Sequence, residues 1–177
     1  MENDKFDLIH HSSDILRMES KAWDFSSPPL DSKKLVDNMI EVMVAKKGLG
    51  LSAIQIGVPY KVFVIGSWTK PDSIFPVFNP RIVNFSDDVD NSDEGCLTFP
   101  GLSVKVKRPL NIRCRYQNIS GDVITQTYSG ITARVFQHEM DHCNGKLFFH
   151  DAGRVKLQMA IKHAKKLGFD YKISDLR

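Results

Sequence analysis

No apolar run in this 177-residue chain approaches the ~18–20 residues of a membrane-spanning helix; the best is Val62-Phe63-Val64-Ile65. Cysteine is scarce. Cys96, Cys114 and Cys143 make an odd set without framework spacing, which excludes a disulfide scaffold and leaves thiols to be placed one by one. No sign of charge dominates: 24 Lys and Arg against 21 Asp and Glu leave +3, too balanced to argue for nucleic-acid binding. The start, Met1-Glu2-Asn3-Asp4-Lys5, lacks the apolar core of a secretory signal and the Arg-rich, acid-poor character of a transit peptide. Repeats, low-complexity tracts and Gly/Ser linkers are missing too. What is present is ordinary globular composition, 42% apolar and 25% charged, in a chain long enough to bury a core without a staple. The expectation is one domain over residues 1–177, cytoplasmic, with neither DNA nor membrane as a partner.

Hydrophobic spacing predicts a helix over 32–47, capped by Asp31 and ended by Gly48 at the C′ position. Strands are predicted at 61–65, 74–78, 81–85, 102–106, 110–116 and 123–128, with 67–73 as a loop and Ser120-Gly121-Asp122 as a hairpin turn. Along 110–116, Leu110, Ile112, Cys114 and Tyr116 share one face. Further helices are predicted over 131–144 and 153–167. Strands grouped between helices read as α+β: antiparallel strands around a central helix, with helices towards both ends. Asp87, Asp88, Asp90, Asp93 and Glu94 form an acidic stretch.

The strongest chemical signal is His138-Glu139-Met140-Asp141-His142. On a helix, positions i and i+4 share a face, so both imidazoles can reach one metal ion, while Glu139 is offset towards a water beside it. The alternative is a helix with two surface histidines, which the apolar neighbours Val135 and Phe136 disfavour. A third protein ligand is needed to leave one open position. Downstream, the long protease spacing places Phe148 where its histidine should stand, and no Glu follows Glu139; His150 and His163 read as surface residues. Upstream, Cys96 lies in Glu94-Gly95-Cys96-Leu97-Thr98-Phe99-Pro100-Gly101, where the backbone bends freely and can present a thiolate. Cys114 faces a strand's apolar side, and Cys143 points off the metal face. Gly48-Leu49-Gly50-Leu51-Ser52-Ala53-Ile54-Gln55 fits a dinucleotide fingerprint only formally, because a helix precedes it and a strand follows. Two readings stand: a glycine-rich segment (Gly48, Leu49, Gly50) lining a cleft with Gln55 as an amide donor to an oxyanion, or a tight turn with Gln55 exposed.

Together these motifs resemble the peptide deformylases, whose G-x-G-x-A-A-x-Q, E-G-C-L-S and Q-H-E-x-D-H segments occur in this order. Ser52 stands in place of the first alanine, Thr98 in place of serine and Ile54 where many members carry proline. Asn79-Pro80 and Arg108 extend the match over roughly residues 30–150. The resemblance implies removal of the formyl group from nascent peptides that begin with formyl-methionine, releasing formate. It implies one divalent metal held by Cys96, His138 and His142, with Fe2+ foremost and Zn2+, Ni2+ or Co2+ compatible with the donors. Glu139 would be the base, and Gln55 and the Leu97 N–H the oxyanion donors. Leu49, Ile131 and Val135 are candidates for a methionine pocket, or for ordinary core. The basic helix carrying Arg154, Lys156, Lys162, Lys165 and Lys166 is either a solvated amphipathic helix or a dock onto the ribosome. Rivals to this activity are a peptidase with the same metal chemistry and a metal-stabilised binding module.

Overall fold

The Asp31 carboxylate accepts the Lys34 N–H at 2.8 Å and starts α1, Ser32–Ala45, in the computed structural model, which describes residues 6–176. The polar start at residues 1–5 lies outside the described residues. Helix α1 buries Leu35, Val36, Met39, Val42 and Met43 along one face. It ends in a Schellman turn, with the Gly48 N–H on the Met43 carbonyl and the Lys47 N–H on that of Val44. The left-handed residue is Lys47 (φ 58°), not Gly48. Gly48 is needed for another reason: a Cβ there would meet the Leu97 side chain at 2.7 Å.

Seven strands follow: β1 Gly50–Ser52, β2 Val62–Ser67, β3 Lys70–Phe85, β4 Val89–Cys96, β5 Phe99–Pro109, β6 Asn111–Gln117 and β7 Val123–Ser129. They form a five-stranded antiparallel sheet, ordered β1-β2-β3-β6-β7, and a separate β4-β5 pair. The expected loop at 67–73 is a tight hairpin with Ser67 opposite Lys70. The two strands expected at 74–78 and 81–85 are one strand that changes partner, pairing with β2 up to Phe78 and with β6 from there on. Pro80 falls inside the register shift, where a missing N–H breaks no ladder. Asn79 (φ 49°) bonds the Trp23 backbone at both its N–H and C=O, at 2.7 and 2.9 Å, and so takes over at the shift.

The acidic stretch becomes β4. Its partner β5 is basic, and their register sets Asp93 opposite Lys105 and Asp90 opposite Arg108. Ile112, Cys114 and Tyr116 are buried as the alternation predicts, but Leu110 sits at the turn into β6 and stays exposed.

Two further helices complete the fold, α2 at Gly130–Cys143 and α3 at Arg154–Lys166. Helix α2 packs against strands of both sheets, which is why Ala133, Phe136, Gln137, His138, Glu139, His142 and Cys143 are all buried. Helix α3 lays Leu157, Ala160 and Ala164 on β5. Leu167 lies past the last turn and is exposed, as are Val155 and Met159 on the outer face. The chain then doubles back. Tyr171 donates to the Pro100 carbonyl at 2.7 Å, and the Phe169 ring fills the space beside Gly101. No helix among the described residues is long and apolar enough to cross a membrane.

Candidate functional site

Helix α2 carries His138 and His142 one turn apart, with ring centroids separated by 5.0 Å. From the facing side, the turn between β4 and β5 presents Cys96. The Cys96 sulfur and one nitrogen of each imidazole lie within 4.8 Å of one another. Cys96 Sγ is 3.3 Å from His142 Nε2, and the buried His142 Nδ1 has no hydrogen-bond partner among the described residues. One cysteine sulfur and two imidazoles converging at this range suit a four-coordinate divalent cation with one position open.

Glu94 organises this cluster from behind. Its carboxylate is buried and accepts Arg108 Nε at 2.6 Å and Nη2 at 2.8 Å, a bidentate pair, together with a close contact from Arg134 Nη1. Its Oε2 lies 3.2 Å from His138 Nδ1, which fixes the ring and turns Nε2 away from Glu94. Burial works against ionising Glu94, but the His138 and Arg108 hydrogen bonds and the Arg108 charge outweigh it and hold the group at about 2. Burial likewise opposes charge on His138, yet bonds to Cys96 and Glu94 raise it to about 10. His142 is pushed well below its ordinary value by burial and by the neighbouring His138 and Arg108 charges. The two imidazoles thus differ: His138 sits against the Glu94 carboxylate, which favours charge on its ring, whereas burial and the nearby cations keep His142 neutral, the form in which an imidazole can bind a metal.

Glu139 is buried, which raises its pKa against the His138 charge and a Ser52 hydrogen bond. Its Oε2 accepts the Ser52 hydroxyl at 2.7 Å. Its Oε1 lies against Gly50, where a Cβ would come within 2.5 Å. Gln55 lies in the 3₁₀ turn Ala53–Ile56, which Ser52 caps and left-handed Gly57 ends. It is buried, so the exposed-turn reading is excluded. Its Oε1 accepts the Ser52 N–H at 2.8 Å, and its Nε2 faces Thr98 Oγ1 at 3.0 Å and Cys96 Sγ at 3.3 Å.

A cleft of about 330 Å³ brings together Gly48, Leu49, Gly50, Gln55, Cys96, Leu97, Ile131, Val135, His138 and Glu139. His142, 1% exposed, stands behind this lining. Leu49 and Ile131 are exposed at the rim rather than packed in the core. Cys114 and Cys143 are core thiols whose pKa burial pushes up to about 12. His150 and His163 are exposed.

Sequence reasoning missed Arg134, which also bonds the Val106 carbonyl and the Asp90 side chain, both at 3.0 Å. The available signal was its place one turn before His138: a charge on that buried face requires a partner.

A family model described as Polypeptide deformylase matches residues 6–158. A peptide deformylase of Phenylobacterium zucineum is 40% identical over 136 residues, covering 76% of this chain and 80% of that protein. One from Agrobacterium fabrum is 37% identical over 161 residues, 90% of this chain and 94% of the relative. The crystal structure of a peptide deformylase from Synechococcus elongatus, in complex with actinonin, superposes with a TM-score of 0.86 at 28% identity, covering 100% of this chain and 94% of that one. The matched segment contains the cysteine, both histidines and the glutamate of the cleft, and the chain belongs to the polypeptide deformylase family.

Proposed function

We propose that the chain, as one catalytic domain over residues 1–177, removes the formyl group from formyl-methionyl nascent peptides in the cytoplasm and releases formate. The observation that carries this reading is that Cys96 Sγ and one nitrogen each of His138 and His142 lie within 4.8 Å of one another, at a cleft lined by Cys96, His138 and the buried Glu139. Cys96, His138 and His142 would hold one divalent ion, ferrous iron in our reading with zinc, nickel or cobalt able to take its place, and bound there it supplies Lewis acidity that polarises a carbonyl and makes water more acidic.

The chain's own residues carry the proton. Glu139 takes a proton from the attacking water and returns it to the leaving amine. The Gln55 amide and the Leu97 N–H meet the oxyanion. The backbone of Gly48 to Gly50 receives the peptide, and Leu49, Ile131 and Val135 hold the methionine side chain at the cleft mouth. A formyl carbon bears only hydrogen beyond its amide, so a tight fit at the reacting carbon excludes an acetyl group.

Formate release from a formyl-methionyl peptide, run beside its acetyl counterpart and an unblocked peptide, tests the reading. Turnover of the formyl substrate alone is expected; cleavage of internal bonds would replace it with the peptidase reading. For α3 we propose a ribosome dock through its exposed lysines. Co-sedimentation should then weaken with salt and be lost when Lys162, Lys165 and Lys166 are changed to glutamate.

A further inference from the structure

We infer that Ser52 is a positioning residue that decides which oxygen of Glu139 meets the reacting water. The inference rests on the hydrolytic reading above. Ser52 is fully buried where β1 runs into the 3₁₀ turn Ala53–Ile56. Its N–H donates to Gln55 Oε1 at 2.8 Å, and its hydroxyl donates to Glu139 Oε2 at 2.7 Å, with the Glu139 backbone carbonyl further off at 3.2 Å. One residue thus holds both side chains to which the reaction assigns polar work.

The need for such a hold is general. The terminal torsion of a glutamate is broad and two-fold, so the chain's own bonds do not fix the carboxylate plane. A hydroxyl has one hydrogen to give, and a carboxylate is its strongest acceptor nearby. With Oε2 taken, Oε1 is left beside Gly50, a position without a Cβ on the wall of the cleft.

The test compares wild type with Ser52→Ala and Ser52→Thr in steady-state formate release, with metal content and Tm measured on each preparation. Ser52→Ala should lose about tenfold in kcat, the order expected when a donor to a charged acceptor is removed. KM should stay within about twofold and metal content should match wild type; Ser52→Thr, which restores a hydroxyl, should recover most of the rate. A double-mutant cycle with Glu139→Gln supplies a second arm that needs no threonine to fit: the Ser52→Ala loss should vanish when Glu139 is no longer a base. An unchanged kcat in Ser52→Ala, an equal loss in both backgrounds, or a loss that tracks missing metal would overturn the inference. A wild type that releases no formate overturns the parent reading as well; an active wild type with an indifferent Ser52→Ala overturns this inference alone.

Discussion

The three thiols separate cleanly by environment. Cys96 is partly exposed and faces His142, whereas Cys114 and Cys143 are buried among apolar neighbours. Cys96→Ala is therefore expected to lose its tightly bound metal. Cys114→Ala should keep metal and cost about 1 kcal/mol of packing, and Cys143→Ser should keep metal too. Elemental analysis of the three purified variants decides, and equal metal in Cys96→Ala and wild type would refute the ligand assignment. Glu139→Gln should keep both metal and fold and lose ~10²–10⁴ in kcat, read as formate release. Glu94→Gln attacks the support. It leaves Arg108 and Arg134 buried without their shared carboxylate, a loss of about 3–5 kcal/mol in denaturant unfolding, and weakens metal affinity about 10–100-fold in a chelator competition. At this scale the chemistry was legible in the sequence, because i, i+4 histidines and a glycine-bounded cysteine advertise themselves by type and spacing. The spacing of Arg134 from His138 signalled a buried charge, but its partners Asp90 and Glu94 were not legible, since they are brought to it only by the pairing of distant strands.

Elements were legible where burial follows a single period. Helix α1 and the buried side of β6 follow their patterns, because each buries one face. Strand β4 does not. Asp, Asn and Ser disfavour strands, and this stretch pairs because its partner β5 carries the opposite charges. Strand β3 was split by its prolines and by Asn79, which the fold accommodates at a change of partner. Strand β1 is the element on which the cleft depends most closely. A methyl group at Gly50 would meet Glu139 Oε1 at 2.5 Å and Val135 at 2.7 Å, so either β1 or the carboxylate must move. Gly50→Ala is expected to cost about 10²-fold in kcat while thermal unfolding changes little, because a displacement near 1 Å at reacting groups is enough for such a loss. Wild-type kcat in that variant would show that Glu139 tolerates the shift.

For the whole molecule, the candidate metal centre lies where the two sheets meet across α2: Cys96 comes from the β4-β5 pair and both histidines from the helix. Ligand binding there should be felt as global stability. Stripping the metal should lower Tm, and returning it at 100 times its Kd should restore about 2.7 kcal/mol, a response that Cys96→Ala should lack. A Tm indifferent to metal in wild type would mean that the ion does not couple the sheets.

The buried carboxylate of Glu94 also dictates an order in which this chain can change its sequence. Its partners come from β5 and α2, and they are unequal: Arg108 grips both oxygens and Arg134 only one, while each has a second carboxylate, Asp141 for Arg108 at 2.8 Å and Asp90 for Arg134 at 3.0 Å. A lineage drifting by single substitutions can shed Arg134 first, because Glu94 keeps its bidentate partner and the half-buried Asp90 can be rehydrated. The reverse path is steeper, since losing Glu94 first takes a shared carboxylate from two buried guanidinium groups at once, leaving Arg108 with Asp141 and Arg134 with Asp90, and frees the His138 ring. Position 134 is thus the more open of the two to substitution, while position 94 is held acidic by two arginines and the His138 ring at once.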